Sequence, residues 1–170
     1  MGILDGNPKD EPMHYGEVYM VWTHSTLAKG ALSCYQAYLN HAGDKDLKKI
    51  IGELIDQKQL EIKELDELLL ANGITPAPAL PVRPEVSLED IPAGARFTDP
   101  EISAALAVET AAGLAACSSA MGQSIRVDIA ALYAKYHMTL AAIGAKILKL
   151  NKEKGWLVPP PLHIKRPETD

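Results

Sequence analysis

The sequence lacks the residues and patterns that mark several large functional classes. Its two cysteines, Cys34 and Cys117, have neither a Cys-x-x-Cys spacing nor nearby histidine ligands, so we interpret them as small buried thiols in a reducing compartment. Basic charge is also short: the net charge is −5, the sequence pI is near 5.5, and the lysines are scattered among acids. This composition argues against nucleic-acid binding, which requires clustered lysine and arginine.

Targeting and catalytic signatures are missing as well. The N-terminus has no basic and apolar regions of a signal peptide, and we see no apolar run near the roughly 18 residues that span a bilayer. We therefore expect a soluble cytoplasmic protein without a membrane span. No glycine-rich phosphate loop, nucleophile elbow or Ser-His-Asp arrangement is recognisable. The sequence accordingly favours a non-catalytic protein, and no catalytic residue is assigned.

What the chain does have is the composition of an ordinary globular domain. Its 170 residues are 47% apolar and 23% charged. A chain of this length can bury a hydrophobic core without disulfides or structural metals. We therefore predict one domain over residues 1–170.

Four long segments carry helical signals. Residue pattern and caps predict all-α structure, with Pro12 in the first turn of helix one, Gly43 at a left-handed C-terminal position and Ser124 as a cap. A Thr98–Glu101 capping box opens helix three, and Gly73 and Gly155 end helices two and four. The predicted helices cover about 12–41, 44–72, 99–121 and 124–154.

The connections between these helices predict the topology. Helices one and two, and helices three and four, are joined by about three residues each, which forces antiparallel hairpins. Residues 74–98 are rich in proline, which prevents a continuous helix, and are long enough to cross the height of a bundle. We therefore predict a ferritin-like four-helix bundle with a long Pro-rich crossover and an extended C-terminal tail at 155–170. Two separate hairpins joined by a linker are the alternative.

Glu109 is the strongest chemical anomaly. It lies among small apolar residues, and the spacing of Ile102, Leu106, Gly113 and Ala116 places it on the predicted apolar stripe of helix three. A buried carboxylate has to be paired, metal-bound or protonated. A metal ligand and a buried acid satisfied by a tyrosine, histidine or arginine both remain open.

A ferritin-like di-iron site needs a Glu-x-x-His pair from each of two helices, and this sequence contains none. We therefore predict no cofactor, with a metal ion at a degenerate core site as the alternative. A small-ligand pocket beside the alanine-rich third helix is a further possibility. The candidate metal ligands are Glu109, Glu17, His24, Glu61, Asp128 and His137.

The first helix is rich in aromatic residues. Tyr15, Tyr19 and Trp22 share one face by their spacing. Tyrosine and tryptophan are enriched in subunit interfaces, although core packing explains the same pattern. We interpret these three residues as a candidate interface of a homo-oligomer, with a dimer favoured.

Four long segments also resemble a known family. MGILDGNPKDEPMHYGEVYMVW, GDKDLKKIIGEL, LEDIPAGARFTDPEI and LNKEKGWLVPPPLH are similar to an uncharacterised Bacillus family of ferritin-like proteins labelled spore coat proteins, by likeness to the spore coat protein F group. The resemblance implies a ferritin-like bundle, a spore-forming source, and a structural or interaction role in the spore coat beside other coat proteins. It carries no established catalytic residues. The alternative function is a metal-binding or redox protein of the ferritin-like class.

Overall fold

The computed structural model describes residues 11–163, which form four long helices and no strand. Two short 3-10 turns, Leu88–Asp90 and Ala93–Ala95, lie in the segment that joins the second helix to the third. The prediction of an all-α, four-helix fold is confirmed, while the ferritin-like assignment stays a prediction. The helices are α1 (Tyr15–His41), α2 (Lys45–Ala71), α3 (Asp99–Gln123) and α4 (Val127–Glu153).

The start of α1 differs from the predicted one because a side-chain cap fixes it. His14 is the N-cap: its Nδ1 accepts hydrogen bonds from the backbone N–H groups of Gly16 and Glu17. The Glu17 carboxylate in turn accepts from the His14 N–H at 3.1 Å. This reciprocal capping box leaves Pro12 outside the helix rather than in its first turn.

The predicted capping roles of Gly43 and Ser124 are wrong, and those of Gly73 and Gly155 are right. Gly43 has no left-handed backbone conformation, because the chain leaves α1 through Ala42 in an extended conformation. Ser124 does not cap α4; its Oγ donates back to the Ala120 carbonyl, and α4 begins only after Arg126. Gly73 and Gly155 do adopt positive φ, at 73° and 71°, as helix ends often require.

Hydrogen bonds at the two ends of the bundle define how the hairpins associate. At one end, Asp99 at the start of α3 accepts from the N–H groups of Gly43 and Asp44 in the α1–α2 turn. At the other end, Glu17 of α1 accepts from the N–H groups of Ile125 and Arg126 in the α3–α4 turn. Helix α3 is therefore antiparallel to α1 and parallel to α2.

The segment between α2 and α3 runs along α1 for most of that helix. Trp22 Nε1 donates to the Thr75 carbonyl at 3.2 Å, and Lys29 Nζ donates to the Ala77 carbonyl at 2.6 Å. Farther along, Arg83 Nε donates to the Ser33 carbonyl. Asn40 then contacts both Pro84 and Val86. The segment thus covers one side of α1.

The core consists of two apolar clusters. One contains Ile51, Leu54, Leu106 and Ile147 and lies toward the α1–α2 turn, and Trp156 packs against it. The other contains Val21, Leu65, Cys117, Ile129 and Tyr133 and lies toward the α3–α4 turn. On α2, polar residues between Leu54 and Leu65 separate the two clusters. Residues 157–163 of the predicted tail are exposed, and its last seven residues lie outside the described range.

Candidate functional site

Glu61 is the centre of a buried polar cluster between the two apolar ones. Its side chain is fully buried, and Lys58 Nζ donates to Oε2 at 2.6 Å. Gln57 Nε2 donates to Oε1 at 3.0 Å, and His24 Nε2 of α1 lies 3.2 Å from Oε2. We call Glu61, Gln57, Lys58 and His24 the Glu61 cluster.

The Glu61 cluster keeps its carboxylate ionised. Burial by itself raises the pKa of Glu61, but the hydrogen bond to His24 and the charge of Lys58 outweigh it and lower that pKa to about 2. The cation that balances the charge is already present as the Lys58 ammonium group. Glu61 is therefore a satisfied buried acid.

Two tyrosines of α4 close the cluster from the opposite side. The rings of Tyr133 and Tyr136 lie 5.4 and 5.8 Å from the His24 ring, centroid to centroid. The Tyr136 hydroxyl donates to Glu64 at 2.8 Å, whereas the Tyr133 hydroxyl is buried without a hydrogen-bond partner among residues 11–163. Burial, reinforced by neighbouring anionic groups, raises the pKa of both phenols, so both stay protonated near neutral pH.

Cys117 lies in the apolar cluster next to these tyrosines. Burial, and secondarily the Glu61 carboxylate, raises the pKa of its thiol to about 11. A thiol with such a pKa is a poor nucleophile at neutral pH. The structure thus confirms Cys117 as a buried thiol, whereas Cys34 is exposed, contrary to the prediction for it.

Glu109 lies at the edge of the core rather than in its centre. The buried face of α3 contains Ile102, Leu106 and Thr110, while Ala116 of the predicted stripe is exposed. Glu109 projects toward α1, where its carboxylate hydrogen-bonds Tyr35 and, after burial, raises the pKa of that phenol. Its Oε2 atom is buried and has no hydrogen-bond partner within the described part of the chain. The interpretation that a tyrosine satisfies this acid thus accounts for part of its hydrogen-bonding capacity.

Glu17 is fully buried, and its hydrogen bonds join α1 to the start of α4. Its Oε1 accepts from Ile125 N at 2.9 Å and from Arg126 N at 3.0 Å. It thus places a negative charge at the start of α4, where free N–H groups and the helix dipole favour one. In effect α1 caps α4, a contact between residues more than a hundred positions apart.

The remaining two candidates lie apart from the Glu61 cluster. Asp128 is paired with Arg126. The Arg126 Nε donates to Asp128 Oδ1 at 3.1 Å, and its Nη2 donates to Oδ2 at 2.7 Å. The Arg126 guanidinium also donates to Asn72 and to the Glu11 carbonyl, which ties α4 to the end of α2. His137 is half-buried on α4.

Of the six predicted metal ligands, the structure brings His24 and Glu61 within hydrogen-bonding distance of each other. Within residues 11–163, no three side chains of the histidine, cysteine, aspartate or glutamate type are grouped so that they could hold a metal ion. The positive charge beside Glu61 comes from lysine. The Glu61 cluster and the two tyrosines beside it hold α1, α2 and α4 together.

Two surface depressions of the described residues, neither of them beside the alanine-rich α3, bear on the prediction of a ligand pocket. The larger depression, of about 340 Å³, is an open groove between α2 and α4 lined by residues such as Glu53, Asp56 and Lys146. A smaller one, of about 100 Å³, lies under the connecting segment near Lys29 and Leu80. Lys29 is already bonded to Ser25 and Asp66.

The predicted interface aromatics lie on the surface. Tyr15 is 95% exposed, Tyr19 is 72% exposed and Trp22 is 39% exposed. Trp22 is partly covered, because its indole N–H binds the Thr75 carbonyl. The two tyrosines are therefore free of the core, and the tryptophan also anchors the connecting segment.

Sequence reasoning missed a larger surface that continues from these tyrosines. Along α1 the only Asp, Glu, Lys or Arg residues are Glu17 and Lys29, and both are buried. Along α3, Glu109 is the only one between Ile102 and Gln123. The outer sides of these neighbouring helices therefore form one continuous surface without charged groups, which we call the uncharged face. Comparing the charge content of the four helices would have found it. Its exposed members include Tyr19, Leu27, Cys34, Ala104, Val108, Ala111, Ala112, Ala115 and Ser119.

The segment that contains α3 qualifies by length and composition as a possible membrane span. Residues 93–123 contain an 18-residue window of mean hydropathy 1.4, of which 28% is buried inside the protein. The expectation that no apolar run approaches this length overlooked α3, because its hydropathy comes from alanine rather than leucine or isoleucine. One such helix is weak support for a membrane segment.

Comparisons with known proteins give the chain a family. It matches the family described as "Protein of unknown function (DUF3231)" over residues 1–168. It is 53% identical over 166 residues to the uncharacterized protein YvdQ of Bacillus subtilis (strain 168), and the match covers 98% of each chain. A crystal structure of a protein from Bacillus halodurans C-125, named as a putative spore coat protein, is 51% identical and superimposes with a TM-score of 0.91. The match covers 94% of this chain and 100% of that one. By sequence along nearly its whole length, the chain belongs to the family described as Protein of unknown function (DUF3231).

Proposed function

We propose that the protein is a non-catalytic structural component that associates with the spore coat and acts through protein–protein contacts. The observation that carries this proposal is the uncharged face. A surface of this kind, exposed along much of two helices, is typical of an interaction site. The protein would then function through contacts made by its surface rather than through chemistry in its interior.

The interior supports the same proposal. Its acidic groups are engaged in holding the bundle together: Glu17 caps α4, Asp99 joins α3 to the α1–α2 turn, and Glu61 is balanced by Lys58. A catalytic acid or nucleophile needs access to a substrate and a pKa suited to its task. Glu61 is fully buried and fully ionised, which suits a structural role.

We propose the spore coat as the location because the relative from Bacillus halodurans is named as a putative spore coat protein. At 51% identity, full coverage of that chain and a TM-score of 0.91, the two proteins share their fold. A coat component has to bind other coat proteins or copies of itself. The uncharged face supplies a surface for such contacts.

Fractionation of spores tests the location. In a spore-forming host that carries an epitope-tagged copy, we expect the protein in the detergent and alkali extract of purified spores. A tagged cytosolic enzyme serves as the control and should stay with the spore core. Recovery of the protein only in the soluble fraction of the mother cell, at every stage of sporulation, would contradict the proposal.

A metal-binding role is the second candidate, and a specific observation favours it. The Tyr133 hydroxyl and Glu109 Oε2 are buried without hydrogen-bond partners among the described residues, and the His24–Glu61 pair lies in the same core. Elemental analysis of protein purified without chelator, before and after Glu109→Gln, tests this role. Stoichiometric metal that the substitution removes would support it, and metal-free wild-type protein would eliminate it.

A further inference from the structure

We propose that a second copy of this chain docks on the uncharged face, so that α1 and α3 of one protomer pack against α1 and α3 of the other. The inference rests on the proposed function, because the uncharged face is the basis of that function and the inference names the partner that binds there. The contact would be isologous, with the same patch used by both copies.

The distribution of charge points to a copy as the partner. Helix α2 carries charged residues throughout, and α4 carries them near both ends and at Lys135. Two ion pairs join the two helices, Lys146 with Glu53 and Lys135 with Glu64. Between Ile102 and Gln123 of α3 the one charged residue is the partly buried Glu109, and the charged residues of α1, Glu17 and Lys29, are buried. Two copies with a net charge of −5 repel each other, and a contact through this face brings few charged groups close together.

The uncharged face also permits close approach of helices. On α3, the exposed residues at three-to-four spacing are Ala104, Val108, Ala111 and Ala115, three of which are alanine. On α1, Gly30 interrupts the helix interior, although a Cβ added there would meet no other described atom within 4 Å. A mid-helix glycine costs about 1 kcal/mol relative to alanine, and no residue in the described part of the chain uses the space that it leaves. A helix from another copy would.

The size of the face matches what a stable dimer requires. Helix α1 has 27 residues, which gives a length of about 40 Å at ~1.5 Å per residue. Two neighbouring helices about 10 Å apart present a strip about 20 Å wide. The resulting area of about 800 Å² per protomer is the usual contribution of each partner to a specific interface.

A lipid surface fits these residues less well. Helices that lie on membranes combine large apolar residues with lysine and arginine on the flanking polar side. The exposed positions of α3 are mostly alanine, serine and glycine, and α3 contains no lysine or arginine. Small side chains bury little area in a bilayer but suit contact between helices.

Placing negative charges on the uncharged face tests the proposal in the full-length protein. Ala112→Glu with Ala115→Glu places acids at two exposed alanines of the face, and Ala131→Glu makes the same kind of change at an exposed alanine of α4. By sedimentation velocity over a wide concentration range, we expect a wild-type dimer. The double substitution should weaken its association by about a hundredfold or more, because like charges meet across the contact. The α4 control should associate like the wild type, and circular dichroism checks that all three proteins fold.

The native thiol of Cys34 gives a second measurement on the same face. Cys34 is exposed and Cys117 is buried, so a maleimide should react first at Cys34. In the wild type we expect this reaction to slow as protein concentration rises, and in the double variant we expect a constant rate. A wild-type protein that stays monomeric at all concentrations overturns the proposal, as does a dimer that the two glutamates leave intact.

Other occupants of the face would give different results. A monomer in which Cys34 is nevertheless protected would assign the face to the chain's own terminal residues. A monomer that binds phosphatidylcholine vesicles, and loses this binding with the two glutamates, would assign it to lipid. Either result overturns the proposal. A dimer that never enters the coat would contradict only the proposed function, and a coat-bound monomer would contradict only the dimer.

Discussion

Three buried acids of this bundle show how the surroundings of a single residue decide its role. Glu61 is balanced by a lysine and a histidine, Glu17 by backbone N–H groups, and Glu109 in part by a phenol. Because a buried charge without partners costs several kcal/mol, each set of partners is a condition for the fold. The free energy associated with these acids is therefore measurable by substitution.

Replacing Glu61 by glutamine should destabilise the protein by about 3 kcal/mol near neutral pH, since it leaves Lys58 buried without its counterion. The pKa of Glu61 is lowered to about 2 in the folded protein. Its contribution is therefore present above the ordinary carboxyl pKa of about 4.3 and is lost as the pH falls toward the folded value. Urea unfolding across this pH range should show the difference between wild type and variant shrinking with acid.

Glu153→Gln is the matched control for that experiment. Glu153 is an exposed acid that faces Lys149 at 3.7 Å on the same helix. An exposed pair of this type contributes less than about 1 kcal/mol. If the Glu61 variant were no less stable than the Glu153 variant, the charge balance of the Glu61 cluster would not be a stabilising feature.

At the scale of helices, the ends of the bundle are held by side chains from distant elements as well as by local caps. Helix α4 has no side-chain cap of its own at Arg126 and takes one from Glu17 of α1. Asp99 plays the corresponding part at the opposite end, at the α1–α2 turn. The start of α4 therefore depends on the packing of the two hairpins.

Glu17→Ala should destabilise the protein by about 3 kcal/mol, because two N–H groups at the start of α4 and one at the start of α1 lose their acceptor. Glu17→Gln keeps an acceptor oxygen but loses the charge, and should cost about 1 kcal/mol. Amide exchange should speed up most at the first turn of α4. Glu101→Ala, which removes the exposed cap of α3, is the comparison and should not affect α4.

Two glycines in helix interiors should respond differently to the same substitution. A Cβ on Gly144 of α4 would lie 3.1 Å from Thr110 Cγ2 of α3, whereas a Cβ on Gly52 of α2 would meet no described atom within 4 Å. We expect Gly52→Ala to raise the free energy of unfolding by about 1 kcal/mol. Gly144→Ala should gain less than that or lose stability, because α3 and α4 have to move apart. Equal gains in thermal unfolding experiments would show that the close approach is unimportant.

How far sequence predicts each helix depends on its side chains. The charges of α2 alternate with Leu47, Ile51, Leu54, Leu65 and Leu69, so its buried face follows from spacing alone. In α3, alanine occupies both the buried and the exposed sides, so spacing does not distinguish them. This ambiguity explains why Glu109 was placed on the central stripe. The partners of Glu17 and Glu61 lie on other helices, and no local pattern contains them.

At the scale of the whole molecule, the two hairpins are joined by polar contacts as well as by the core. Besides Glu17 and Asp99, Glu64 of α2 accepts from Tyr136 of α4, and Lys154 after α4 pairs with Asp44 at 2.7 Å. Both apolar clusters contain residues of both hairpins. This arrangement favours one cooperative domain over two hairpins on a linker.

The two tryptophans of the chain allow that cooperativity to be measured. Trp22 lies on α1 of the first hairpin, and Trp156 follows α4 of the second. Trp156→Phe leaves a fluorescent probe on the first hairpin, and Trp22→Phe leaves one on the second. In each variant we expect urea unfolding followed by fluorescence to coincide with unfolding followed by circular dichroism, because neither hairpin can keep its apolar face buried once the other unfolds. Independent hairpins would instead give two dichroism steps, with each fluorescence midpoint matching only one of them.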